Sequence, residues 1–180
     1  LGLSMADVVI TESGFGADLG FEKLMHIKAA SSGLVPRVVV LVATVRALKM
    51  HSGRFKVRAG KPLPDAMLRE DLDALTAGAE NLRAHLDIVR RFGLPVVVAL
   101  NRFPTDTDAE LGLLADVAFE HGAQAAVPLD SWAQGGPGAE ALADAVLTAA
   151  SAPTAPRRCY ESDAPLAAKI EAVATEVYGA

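Results

Sequence analysis

The sequence predicts an α/β fold, a mainly parallel sheet of about four strands flanked by helices. Three observations predict it. The runs "DVVIT" (7–11), "RVVVLVA" (37–43), "PVVVALN" (95–101) and "AAVPL" (125–129) are almost continuously apolar, as strands covered on both faces are. Helical patterns at 20–32, 66–92, 106–121, 138–150 and 163–178 alternate with them, the rhythm of βαβ units. Glycine follows a helical pattern in "FGLP" (92–95) and "HGA" (121–123), where a left-handed cap is wanted.

The remaining segments fit around that frame. "HSGRFKVRAGKPLP" (51–64) carries two glycines, two prolines and four Lys or Arg side chains and reads as a surface excursion. The α/β domain therefore covers 1–150, with ligand loops at the strand ends. "SAPTAPRRCYESDAP" (151–165) reads as a linker, and 166–180 as a C-terminal helix. Position 1 is Leu and a strand is expected almost at once, so the chain is expected to be part of something longer.

Composition narrows the function classes. The 180 residues are 51% hydrophobic and 22% charged, ordinary for a globular enzyme domain. A net charge of −5 argues against a nucleic-acid partner. The longest apolar run, about eight residues, is far below the ~20 that span a bilayer, so no membrane association is expected. A single cysteine, Cys159, cannot form an internal disulfide, which points to a reducing, cytoplasmic setting.

In parallel α/β sheets, ligands bind beyond the carboxyl ends of the strands. Four strand ends are therefore candidate sites. After the first, "TESGFGADLG" (11–20) offers Glu12, Gly14, Phe15, Gly16 and Asp18. The glycines permit close backbone approach to a ligand, or they make a turn that Asp18 caps. After the second, "TVRALKMHSG" (44–53) places Arg46 and Lys49 at i and i+3, with His51 close behind. The two cations could hold a carboxylate or phosphate, and His51 could exchange a proton near neutral pH. The alternative is that all three solvate the strand end and pair with acids such as Glu12.

After the third strand comes "NRFPTDTDAE" (101–110), where Asn101, Phe103 and Pro104 open the loop and Thr105 or Asp106 caps the next helix. The loop departs from the Asn-Lys-x-Asp pattern that reads guanine. After the fourth, "PLDSWAQGGPG" (128–138) holds Trp132, the only tryptophan. If the last two strands share one βαβ unit, Phe103 and Trp132 can approach a flat ring from two sides; otherwise Trp132 packs over the sheet edge. Gly60–Lys61 is followed by Pro62, which lacks the N–H that a phosphate nest uses, so no P-loop is present in these residues. The four histidines have no metal-ligand spacing, and no metal site is expected.

"VATVRALKMHSG" resembles a signature run of formate–tetrahydrofolate ligases, with Ser52 where that family has the first of two glycines. "TESGFGADLGFEKL", "AGKPLP", "GAENLRAHLDIVRRFGLPVVVALNRFPTDTDAEL", "WAQGGPG" and "YGA" are similar to family segments in the same order, with Ser13 in place of a family Ala. The resemblance implies a P-loop-NTPase-like portion of a larger enzyme that ligates formate to N10 of tetrahydrofolate with ATP, through formyl phosphate. It implies ATP, formate and tetrahydrofolate as substrates, no tightly bound cofactor, metal only as Mg–ATP, and a homo-oligomeric parent. It makes Phe103 and Trp132 pterin-stacking residues and suits Arg46 and Lys49 to developing phosphate or formate charge. The family's Gly-Lys-Thr phosphate segment has no counterpart here, so the chain is expected to be an internal fragment without turnover of its own. The alternative is a non-catalytic folate- or nucleotide-binding interaction domain on the same scaffold.

Overall fold

The computed structural model describes residues 1–180 and divides them into two compact units. Residues 35–158 form the larger one. Its sheet has three parallel strands in the order β1 (Val39–Ala43), β2 (Val96–Asn101), β3 (Ala125–Leu129). Val39 pairs with Val96 and Val97 with Ala125, so β2 is hydrogen-bonded on both sides. All of Val96–Leu100 is buried, as expected of the central strand.

Helices connect and cover the strands. α1 (Val45–His51) starts directly after β1, and the Thr44 hydroxyl caps it by accepting from the Ala47 N–H at 3.2 Å. α2 (Leu72–Gly78) is capped by Asp71, whose Oδ1 accepts from the Ala74 N–H at 2.8 Å. α3 (Glu80–Arg91) buries Leu82, Leu86, Ile88 and Val89 along one stripe. α4 (Asp108–Glu120) buries Leu111, Leu114, Val117 and Ala118. α5 (Glu140–Ala150) follows a 3₁₀ turn at Gly136–Ala139. Close packing explains Gly78: a Cβ there would lie 1.7 Å from the Leu48 carbonyl oxygen of α1.

The single helix expected over 66–92 is broken. A 3₁₀ turn at Asp65–Leu68 ends in extended backbone at Arg69 before the Asp71 cap starts a new helix. The break has a physical cause, because the Met67 and Arg69 carbonyls turn inward to accept from a buried ammonium, that of Lys49. The α4 cap is Thr107, not Thr105 or Asp106: Thr107 and Glu110 form a reciprocal capping box.

The smaller unit comprises residues 1–34 and 159–180. The strand expected at 7–11 does not form, so the sheet has three strands and not about four. The segment has no regular secondary structure and is exposed, with Ile10 at 88% exposure. An apolar run makes a strand only where another strand takes its N–H and C=O groups, and here none does. Helical backbone follows at Gly16–Phe21 and Leu24–Ala29 with wide i→i+5 winding, then one ordinary turn at Ala30–Ser32. His26 is buried; its Nδ1 lies 2.6 Å from Glu22, its Nε2 accepts from the Cys159 N–H at 3.0 Å, and its ring stacks on Tyr160. α6 (Leu166–Glu176) completes this unit. No helix in the chain is long and apolar enough to cross a membrane.

Candidate functional site: the carboxyl edge of the sheet

The register fixes where the loops of the larger unit emerge. Asn101 pairs with Leu129, and the Arg102 N–H donates to the Leu129 carbonyl at 3.0 Å. The loop bearing Phe103 and the turn Ser131–Gln134 bearing Trp132 therefore leave neighbouring strands at the same edge. β1 ends at that edge too, since Ala43 pairs with Leu100.

Arg46, in the first turn of α1, reaches the Phe103 ring. Its guanidinium carbon sits 3.4 Å from the ring centroid, a direct cation–π contact. The Arg46 Nε is buried and has no hydrogen-bond partner. The Phe103 backbone is closed into a turn by Asp106, whose N–H donates to the Phe103 carbonyl at 2.9 Å and whose Oδ2 accepts from the Phe103 N–H at 2.9 Å. Burial pushes the Asp106 carboxyl above its ordinary pKa; the Phe103 N–H and the Arg46 charge oppose that, Glu110 adds to it, and Lys49 again opposes it.

Lys49 points the other way. It is 2% exposed, forms an ion pair with Glu110 Oε1, and donates to the carbonyls of Arg69 at 2.6 Å and Met67 at 3.3 Å. Three acceptors match the three protons of an ammonium, so none is left for a ligand. Glu110 is fully buried and also accepts from the Asp71 N–H at 3.1 Å and the Thr107 N–H at 3.2 Å. Sequence reading puts Lys49 at the strand end as an anion-holding cation but does not find its partner Glu110, although the Thr-x-x-Glu spacing at 107–110 is a legible capping signal.

The other candidates fall into three groups. His51 ends α1 with an exposed side chain, about 7 Å along the helix from Arg46 by helical rise. Asn101 is half-buried at the end of β2, Pro104 is exposed, and Trp132 is 89% exposed. Glu12, Gly14, Phe15, Gly16 and Asp18 belong to the smaller unit, where Phe15 is 91% exposed and the loop closes tightly on its own helix. A Cβ at Gly20 would meet the Ser13 carbonyl oxygen at 2.3 Å, so only glycine fits that approach. The structure thus brings Arg46 and Phe103 into contact and puts the Trp132 turn beside them in the strand order. It leaves Lys49 inside. No three His, Cys, Asp or Glu side chains converge as metal ligands would.

A parallel three-stranded sheet flanked by helices, with Arg46 lying on Phe103 after one strand and an exposed Trp132 after the next, defines the class, an α/β domain whose loops gather at the carboxyl edge of its sheet. Sequence comparison gives the family. Residues 1–180 match the family model described as formate–tetrahydrofolate ligase. The chain is 49% identical over 180 residues to formate–tetrahydrofolate ligase of Desulforamulus reducens, covering 100% of this chain and 32% of the relative. It is 51% identical over 175 residues to that of Saccharopolyspora erythraea, covering 97% and 31%. With human cytoplasmic C-1-tetrahydrofolate synthase it shares 52% over 172 residues, covering 96% and 18%. The chain belongs to the formate–tetrahydrofolate ligase family. It spans about a third of the length of the bacterial relatives and under a fifth of the human one.

Proposed function

We propose that this chain supplies the tetrahydrofolate side of an ATP-dependent formate–tetrahydrofolate ligase, in which the pterin stacks between Phe103 and Trp132. The observation that carries the reading is the β2–β3 register, which supports one shared edge for the two aromatic loops in a chain of this family. Asn101 and Pro104 flank Phe103 and shape the same loop. The substrates are formate, ATP and tetrahydrofolate, with metal entering only as Mg–ATP and no tightly bound cofactor. Formate attacks the γ-phosphorus of ATP, giving formyl phosphate and ADP; N10 of the folate then attacks the formyl carbon and phosphate leaves.

In this reading His51 exchanges protons, since its imidazole is exposed. The cationic end of Arg46 lies at the strand edge where negative charge develops, and Lys49 acts through the Glu110 centre. The loop at Glu12, Gly14, Phe15, Gly16 and Asp18 is a second substrate-contacting element. The sheet belongs to a P-loop-NTPase-like portion of a larger, homo-oligomeric, cytoplasmic enzyme. These 180 residues contain no Gly-Lys-Ser/Thr nest, so they bind folate without turning over. Nucleic acid and membranes are not partners.

Tryptophan fluorescence tests it, because Trp132 is the only source of signal. Tetrahydrofolate titrated into the 180-residue chain is expected to quench saturably, and Phe103→Ala to weaken the response. A signal unmoved by folate, or equal in the variant, would remove the clamp.

A further inference from the structure

We propose that Arg46 is a positioning residue for the pterin clamp: its guanidinium covers one face of the Phe103 ring and leaves only the opposite face for a ligand. This rests on the folate reading above and changes what Arg46 does within it. A centroid distance of 3.4 Å is van der Waals contact, so no ring can enter between the two groups. A pterin that stacks on Phe103 must therefore lie on the far side. The order of layers is Arg46, Phe103, pterin, Trp132.

The surroundings single out Arg46 for this role. Phe103 is half-buried in a loop whose backbone is held by Asp106. Of the nearby cations, Arg102 is drawn off to Asp108 at 3.1 Å, and Lys49 is saturated by Glu110 and two carbonyls. Arg46 has no close ion pair and its buried Nε lacks an acceptor, so the ring contact, with the longer-range attraction of the Asp106 carboxyl, holds the guanidinium there. Leaving that N–H dry has a cost, which the stack on Phe103 offsets. The two ends of the clamp are consequently unequal. Phe103 is a wall fixed before ligand arrives, and Trp132, at 89% exposure, closes on it.

A double-mutant cycle separates this role from direct anion binding. Tetrahydrofolate affinity is measured by Trp132 fluorescence in the 180-residue chain for wild type, Arg46→Ala, Arg46→Lys, Phe103→Ala and the double variant. Arg46→Ala is expected to raise Kd about 3- to 30-fold. Arg46→Lys recovers only part, because an ammonium lacks the planar face. On the Phe103→Ala background, Arg46→Ala has no further effect. Equal losses on both backgrounds, or no loss on either, overturn the proposal. Arg46→Gln with Phe103→Leu repeats the cycle if an alanine variant fails to fold. A ligand-free signature stands apart from folate binding: the Arg46 side-chain protons carry an upfield ring-current shift in NMR spectra that Phe103→Leu abolishes. If the wild-type chain binds no folate but shows this shift, the function reading fails while the stack survives. Absence of the shift sinks the stack itself.

Discussion

Two apolar runs of similar length, 7–11 and β2, end in opposite states. Val96–Leu100 is wholly buried and hydrogen-bonded on both sides, whereas Val8, Val9 and Ile10 are exposed and unpaired. Their side chains are nearly interchangeable. What differs is the backbone's neighbours: β2 lies between β1 and β3, and 7–11 has no strand to pair with. Hydrophobicity nominates a strand, and the ladder decides whether it forms.

Breaking the well-partnered run should have the largest effect. Val98→Asp buries an unpaired carboxylate where the native residue is 0% exposed, and is expected to abolish cooperative unfolding, a loss of more than about 4 kcal/mol seen in denaturant melts. Next comes the polar centre beneath the sheet edge. Glu110→Ala strands the Lys49 ammonium and should cost roughly 3–5 kcal/mol, and adding Lys49→Met should return much of it. A smaller, pH-dependent effect belongs to Asp106. Its folded pKa is raised, so its contribution to stability is fully present below about 3.8, its unfolded value, and is lost as pH rises through the folded pKa. Asp106→Asn removes that loss, so its stability relative to wild type should climb across that window; a flat difference in melts at several pH values would contradict it. The smallest effect sharpens the comparison most. Ile10→Asp in the isolated chain should shift stability by no more than about 0.5 kcal/mol, since the side chain is already in water.

The same logic governs what was legible beforehand. The runs at 37–43, 95–101 and 125–129 became β1, β2 and β3 because each contains its own apolar code and finds a parallel neighbour. The break within 66–92 was not legible, because it answers to a lysine elsewhere in the chain, whose ammonium draws in the Met67 and Arg69 carbonyls. The strand-end rule located the Arg46, Phe103 and Trp132 loops without any contact information. It could not show Arg46 lying on Phe103, which depends on β1 and β2 being adjacent, nor Lys49 turning from the edge to meet Glu110. Spacing of i and i+3 puts two side chains on one helix face but does not say whether that face meets solvent or core.

The central claim is that tetrahydrofolate lies between the β2 and β3 loops. Its most direct test is an intermolecular NOE experiment on the chain with bound tetrahydrofolate, kept oxygen-free, with Phe and Trp rings isotopically labelled. The account predicts cross-peaks from the pterin C6 and C7 protons to ring protons of both Phe103 and Trp132. Cross-peaks to neither ring, with the folate instead against the apolar groove of Tyr160, Ile170 and Tyr178 in the smaller unit, would contradict it.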